Sequence, residues 1–406
     1  MSEIVLGSVL FTVIVVALAL LIVRVRTALL PTKLVDVTIN DEKTLNATTG
    51  QKLLGVLNDG GIQVPSACAG AGTCGLCRVI VSSGGGHILQ TEMAILNAQE
   101  VRQGMRLACQ VTLRNPMDVR VPAEILGAKS WECTVRSTRF LSPLIKEIVL
   151  ELPTGTDFKF RAGAFVQVTA PPFEFSFDDI ALPPEFVDVW EHLQLGNLKA
   201  HSSQPVARAY SVANRPEDKG TIVLNIRLAV PPPETEGVPP GIVSSWLFGL
   251  KAKDKVDVAG PYGDFGAQHS DSEMVFIGGG VGIAPLRAII FDQLERIGTN
   301  RKISFWYGAR SRHDVLYQEE FDQLAKVHKN FSWTVALSEP HRGDNWEGPV
   351  GFIHDVVCRQ FLADHPTPED CEYYLCGPPL MIETIIATLD EAGVESESIF
   401  NDEFGG

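Results

Sequence analysis

The sequence predicts a multidomain chain: one transmembrane helix, an α+β domain, an antiparallel β-barrel and an α/β domain on a parallel sheet. Three observations carry that expectation. An uncharged apolar run fills residues 4–23, four of the eight cysteines fall within residues 68–109 around a glycine-rich loop, and beyond Asp271 short β-branched segments give way to strands alternating with helices. The chain has 406 residues, of which 45% are hydrophobic and 20% charged, enough for several folded domains of about 100 to 200 residues each. Asp and Glu number 49 against 34 Lys and Arg, a formal charge of −15, which opposes a nucleic-acid function. Residues 31–128 balance eight bases against eight acids and residues 1–30 carry +1, so the acidity resides in residues 129–406.

The apolar run comes first. Its 20 residues, at about 1.5 Å rise each, span roughly the 30 Å of a bilayer core. Arg24, Arg26 and Lys33 follow it, whereas a cleaved signal peptide carries its positive charge before the apolar stretch. Residues 1–30 are expected to be a single-pass anchor with the N-terminus outside and everything beyond Pro31 in the cytoplasm. A buried core helix is the other reading of the same pattern.

The next segment, residues 31–128, holds Cys68, Cys74, Cys77 and Cys109. In reducing cytoplasm such closely spaced thiols point to a metal rather than to disulfides. The loop CAGAGTCGLC (residues 68–77) is small and glycine-rich, so its backbone N–H groups can turn toward bridging sulfides and offset cluster charge. A zinc site has no inorganic sulfide to cradle, and zinc or unligated core cysteines are the alternatives. The first gap is one residue longer than in plant-type ferredoxins. Three ligands on one loop and a fourth about thirty residues on resemble 2Fe-2S ferredoxin domains, which implies a β-grasp-like α+β fold. Residues 33–40 read as its opening strand, 50–60 as a turn and helix, 78–82 as a strand and 119–122 as the closing strand. The remaining cysteines, Cys133, Cys358 and Cys371, read as packing.

Residues 129–269 alternate short β-branched stretches with turns, six strands in all, as in a small antiparallel barrel. Within it Arg208, Tyr210 and Ser211 resemble the Arg-x-Tyr-Ser motif of the ferredoxin reductase superfamily, which implies FAD. Arg208 offers a fork of donors to a pyrophosphate, Tyr210 a flat face to the isoalloxazine, and Ser211 a hydroxyl near ring nitrogen N5. Gly241, Ser244 and Ser245 open a helical stretch whose N-terminus suits a phosphate, with an ordinary serine cap as the plain reading. Gly260-Pro261-Tyr262-Gly263 is similar to the turn that leaves the barrel in that superfamily. An insertion, residues 172–207, carries six acids, one base and five large aromatics, a composition expected of a partner-docking surface or of a passive excursion.

Residues 270–406 give five strands separated by helices, an open parallel sheet. The first strand runs into Gly278, Gly280 and Gly282 and then Pro285, a turn that resembles the Gly-x-Gly-x-x-Pro turn of ferredoxin reductase nicotinamide domains. Cys376 and Gly377 follow the fourth strand, at the sheet edge where ligands bind; the resemblance implies that this thiol lies beside the nicotinamide. It also implies that Phe404 covers the flavin face, with Glu403 near the reacting atoms. Arg310 and Arg312 follow the second strand and leave NADPH open beside NADH.

Taken whole, the chain is similar to the F subunits of bacterial sodium-translocating NADH:quinone oxidoreductases. The resemblance implies an electron-entry subunit of the bacterial inner membrane. NADH would donate hydride to FAD, single electrons would pass to a 2Fe-2S cluster and on to membrane partner subunits, and quinone would be reached only indirectly. A membrane-anchored NADH-dependent reductase of a multicomponent oxygenase shares every redox motif and is the principal rival. A non-catalytic tethered carrier is opposed by the intact motifs, and a thioredoxin-like exchanger by Cys68 and Cys109.

Overall fold

The computed structural model describes residues 33–403 apart from 67, 69, 232–237, 342 and 344, together with 7, 10–19, 21 and 24. The chain divides into two compact units, residues 1–64 with 70–126 and residues 65–69 with 127–406. Residues 10–19 are helical and their apolar side chains are exposed, Phe11 at 70%. Among the described residues no helix is long and apolar enough to cross a membrane. Apart from residues 7 and 21, the rest of the expected span at residues 4–23 lies outside them.

The first unit is a mixed five-stranded sheet. Strands β1 (Leu34–Ile39), β2 (Lys43–Thr48), β3 (Arg78–Ser83), β4 (Met105–Leu107) and β5 (Met117–Arg120) run in the order β2-β1-β5-β3-β4, with β1 parallel to β5. In β1, Val35, Val37 and Ile39 alternate inward, the period-two pattern of a half-buried strand. They pack on Leu53 and Leu57 of helix α1 (Leu53–Asp59), in the core that also takes in Cys77 and Cys109. Two strands, β2 and β4, were not expected from the sequence. The closing strand ends at Arg120 rather than at 122, because the Val121 N–H leaves the ladder to donate to Asn40 Oδ1 at 2.7 Å.

The second unit begins with a barrel. Strands β6 (Lys129–Ser142), β7 (Ile145–Glu151) and β8 (Phe165–Ala170) are followed by the insertion strands β9 (Phe173–Ser176) and β10 (Lys199–Ser202), then by β11 (Val206–Ser211), β12 (Thr221–Arg227) and β13 (Lys255–Tyr262). Six of them form an antiparallel sheet, β11-β8-β13-β6-β7-β12. Its two edges meet through a Val212–Leu224 bridge and an Ala213 N–H donated to Val223 O at 2.8 Å, which removes the exposed edges of an open sheet. The expected exit turn at residues 260–263 is largely the bulged end of β13, whose register shifts between Ala259 and Tyr262.

The insertion corrects an expectation. Its six acids face solvent, but Phe177, Phe186 and Trp190 are buried against the barrel and helix α2 (Ile242–Gly249). Trp190 Nε1 donates to Pro143 O at 2.8 Å. Each such burial contributes about 2 to 3 kcal/mol, so these aromatics clamp the insertion to its own barrel while the acids stay outside.

The remainder is a parallel sheet, β14 (Met274–Gly279), β15 (Ile303–Ala309), β16 (Phe331–Leu337), β17 (Glu372–Gly377) and β18 (Ile399–Glu403), in the order β16-β15-β14-β17-β18. Every residue of β14 and β17 is buried, as expected for strands covered on both faces. Helices α3 (Ile283–Phe291) and α4 (Gln318–Val327) pack on one face, α5 (Ile353–Val357) and α6 (Pro379–Glu391) on the other. The order reverses between β14 and β17, the switch point at whose carboxyl edge ligands bind in such sheets. Arg287 of α3 donates to Ala213 O at 2.6 Å and Tyr317 OH reaches Glu147 Oε2 at 2.6 Å, which joins sheet and barrel within this unit.

Candidate functional site

The cysteine loop departs from regular structure because its glycines do. Gly70, Gly72 and Gly75 have φ of +86°, +82° and +68°, the left-handed region that other residues enter only with strain. A Cβ on Gly72 would stand 2.7 Å from Gln110 Nε2. That amide donates to Gly70 O at 2.9 Å and to Cys109 Sγ at 3.4 Å, and so ties the loop to the segment after β4. Cys77 and Cys109 are 1% and 3% exposed, while Cys74 and Cys68 are half-buried. A bond to the Cys109 side chain, with burial and the nearby Cys74, holds the Cys77 thiol well above its ordinary range. Thiols pressed together in this way ionise only when a bound cation supplies the opposing charge. The donor set and the glycine cradle fit an iron-sulfur cluster.

Behind this loop lies a polar clamp that sequence reasoning missed. Glu92, fully buried, accepts from Arg106 Nε and Nη2 at 2.9 and 2.8 Å and from the Leu89 and Leu107 N–H groups at 2.9 and 3.0 Å. Arg106 also donates to Gly85, Gly86 and His87 carbonyls. Burial works to raise the Glu92 carboxyl, but the Arg106 guanidinium and the two N–H groups outweigh it and leave the carboxyl below its usual value. The pair fixes β4, which leads directly to Cys109.

In the second unit Arg208, Tyr210 and Ser211 lie on β11. Arg208 Nη1 donates to Ala207 O at 2.8 Å, and burial pushes the Tyr210 phenol up. Ser211 Oγ donates to Asp402 Oδ2 at 3.3 Å. Asp402 is paired in register with Cys376 across β17 and β18. Burial, then the Asp402 charge, holds the fully buried Cys376 thiol well above its ordinary range, so it is neutral at physiological pH. Ser211, Asp402 and Cys376 thus meet at the switch-point edge. Asp402 was not anticipated; its only signal was its parity opposite Cys376, which needs the register to read. Glu403 follows it and pairs in register with Gly377. Phe404 lies outside the described residues.

The glycine turns bring backbone to backbone. After β14, residues Gly280–Gly282 form one 3-10 turn into α3, which contains Pro285, and Tyr307 OH donates to Gly280 O at 3.2 Å. A Cβ on Gly278 would meet Leu286 Cδ1 at 2.7 Å, and one on Gly282 would meet Cys376 O at 2.0 Å. Across from them a Cβ on Gly377 would meet Met381 Cε at 2.6 Å. At Gly282 any side chain would strike backbone, so backbone meets backbone where the two strand exits touch. At α2, Ser244 Oγ and Ser245 Oγ both donate to Gly241 O, at 3.1 and 2.6 Å. Gly241 supplies no side-chain cap, so the first N–H groups of α2 keep no side-chain acceptor there.

Residues 37–114 match the 2Fe-2S iron-sulfur cluster binding domain family, residues 190–266 the oxidoreductase FAD-binding domain, and residues 276–386 the oxidoreductase NAD-binding domain. The F subunit of the Na(+)-translocating NADH-quinone reductase of Neisseria gonorrhoeae is 50% identical over 404 residues, covering 100% of both chains. That of Methylococcus capsulatus is 49% identical over 407 residues, again covering 100% of both. Among solved structures, an Amycolatopsis cytochrome P450 reductase shares 26% identity at a TM-score of 0.62, covering 91% of this chain and 98% of its own. A ferredoxin reductase in carbazole 1,9a-dioxygenase, at 23% identity and a TM-score of 0.60 over 92% and 99% of the two chains, shares the fold.

Proposed function

The chain belongs to the family of Na(+)-translocating NADH-quinone reductase F subunits, and from that premise we infer that it is the electron-entry component of such a reductase. Its three domains bind a 2Fe-2S cluster, FAD and NADH. When bound, FAD accepts two electrons as hydride from NADH and releases them singly to the cluster, a conversion neither neighbour can make alone.

The chain's own groups prepare this chemistry. Cys68, Cys74, Cys77 and Cys109 hold the iron, at the cradle of Gly70 and Gly72. Arg208 and the α2 N-terminus at Gly241 receive the pyrophosphate; Ser244 and Ser245, turned onto Gly241 O, shape that turn rather than reach for the phosphate. Tyr210 would offer a flat face to the isoalloxazine and Ser211 a hydroxyl to its N5. The Gly278 to Pro285 turn and Gly377 take the dinucleotide. Asp402 accepts a hydrogen bond from the Ser211 hydroxyl and so sets its direction. Cys376, kept as a neutral thiol, packs beside the nicotinamide without attacking it. By the family resemblance, Phe404 would cover the flavin face and Glu403 would serve near the reacting atoms. The observation that carries the reading is the meeting of Ser211, Asp402 and Cys376 beside the two glycine turns.

The domain limits that follow are 31–128 for the cluster, 129–269 for FAD and 270–406 for NADH. Residues 1–30 anchor the chain once in the bacterial inner membrane, N-terminus outside, on the strength of the charge-free run and the basic residues behind it. The electrons leave to other subunits of the membrane complex and through them to quinone. The oxygenase-reductase reading keeps the same redox layout, but its solved example shares about half the identity of the quinone reductase relatives.

Anaerobic NADH titration of the purified chain tests the reading. NADH should bleach both flavin and cluster absorption in the parent, and flavin alone in Cys77→Ala. A normal cluster spectrum in that variant refutes the ligand assignment.

A further inference from the structure

At the opposite, amino-terminal edge of the parallel sheet, three side chains of different chemistry converge. Glu273 immediately precedes β14, Cys371 immediately precedes β17, and His365 lies on the loop before it. One donor atom from each falls within 4.8 Å of the others. His365 Nε2 stands 3.3 Å from Glu273 Oε2 and 3.9 Å from Cys371 Sγ. Cys371 is 2% exposed, and the His365 and Glu273 side chains are 13% and 14% exposed. None of these residues takes part in the NADH chemistry.

We propose that Glu273, His365 and Cys371 form a zinc site, with water as the fourth ligand. Tetrahedral zinc, with bonds of about 2.05 Å to nitrogen or oxygen and about 2.3 Å to sulfur, sets N and O donors about 3.3 Å apart and N and S donors about 3.6 Å apart. The first spacing is already present and the second needs a few tenths of an ångström. Imidazole, thiolate and carboxylate together suit zinc better than calcium or magnesium, which take oxygen.

The charge balances. Zinc with a Cys371 thiolate and a Glu273 carboxylate is neutral, and binding releases one proton, that of the thiol. Thr367 N–H donates to His365 Nδ1 at 3.3 Å, which places the ring's proton on Nε2. Metal at Nε2 moves that proton to Nδ1 and gives up this one long hydrogen bond. Lys302 Nζ straddles the Glu273 carboxylate, 3.0 Å from Oε1 and 3.1 Å from Oε2. Settling on Oε1, the lysine frees Oε2 for the metal and holds the other oxygen as an outer partner. Bound there, zinc pins residues 365–371, stiffened by Pro366 and Pro368, to the start of the sheet.

The test uses the full chain with FAD and cluster loaded, so that the iron ligands are occupied. After equilibration with micromolar free zinc, elemental analysis should find one zinc per chain in the parent and none in Cys371→Ser or His365→Gln, with iron and flavin content unchanged in all three. The X-ray absorption of the bound zinc should show one sulfur neighbour. Affinity should fall roughly a hundredfold or more in each variant, since an outer-shell partner alone is worth about 10- to 100-fold. If Cys371→Ser fails to retain FAD, His365→Gln carries the test. A parent that binds no zinc, or either folded variant binding it as the parent does, overturns the proposal.

Discussion

Gly282→Ala separates steric from conformational demands at the nucleotide turn. The added Cβ would stand 2.0 Å from Cys376 O, 2.4 Å from its carbonyl carbon and 2.8 Å from Gly377 N. All three are backbone atoms, so no side chain can swing away. Ordinary contact requires the exits of β14 and β17 to part by more than about 1 Å. Overpacking of that kind costs about 1 to 3 kcal/mol of stability, and a misplacement of about 1 Å at a binding turn slows the reaction about a hundredfold. Gly280→Ala is the companion. Its φ of +56° makes it strained, but nothing lies within 4 Å of a Cβ there, so it should cost about 1 to 2 kcal/mol of backbone strain without wedging the strands apart. Rapid mixing with NADH under anaerobic conditions, followed by flavin absorbance, reads the effect, and dithionite reduction confirms that FAD and cluster are intact. The expected order is a large loss of NADH reduction rate for Gly282→Ala and a small one for Gly280→Ala, with dithionite reduction normal in both. Gly282→Ala kinetics matching the parent would refute the claim that the two strand exits form the binding edge.

Three further outcomes are expected. Glu92→Gln leaves Arg106 buried without its counter-charge and should destabilise the cluster domain by about 3 to 5 kcal/mol, measured by denaturant melting of cluster absorbance. Because the Glu92 carboxyl is depressed in the folded chain, its contribution is complete above its ordinary value of 4.5 and is lost as pH falls through the lower folded value; parent stability should therefore drop below that pH while Glu92→Gln stays flatter, and parallel curves would contradict the clamp. Asp402→Asn keeps the volume but removes the charge beside Cys376, and should slow flavin reduction by about tenfold or more while making Cys376 easier to alkylate; measured beside Glu403→Gln, it tells which acid serves the reaction. Deleting residues 1–26 should yield a chain that no longer sediments with membranes yet oxidises NADH with an artificial acceptor, and loss of that activity would show a role beyond anchoring.

What was legible in the sequence follows from burial. Strands β14, β15 and β17 are covered on both faces and therefore appear as largely apolar runs, and the glycines beside them mark where backbones touch. By contrast β2, KTLNAT, is a polar edge strand with one buried residue, and β4 spans three residues, so neither leaves a periodic trace. The four cysteines announce themselves by type and spacing. Glu92 and Asp402 do not, because an acid acquires meaning only from its partners, and those lie 14 and 191 residues away. The aromatics of the insertion misled for the opposite reason: large apolar side chains beside acids look the same in sequence whether they face a partner or their own barrel.

Strand β18 has a consequence for synthesis. It is the outermost strand on its side of the parallel sheet and carries Asp402 back to a serine made 191 residues earlier. Domains fold in the order in which they emerge, so the cysteine loop and the flavin barrel can form while this strand is still within the ribosome. A nascent chain at that stage lacks the acid that orients Ser211. Such a chain is poorly equipped to draw electrons from NADH and spill them to oxygen before strand β18 is in place.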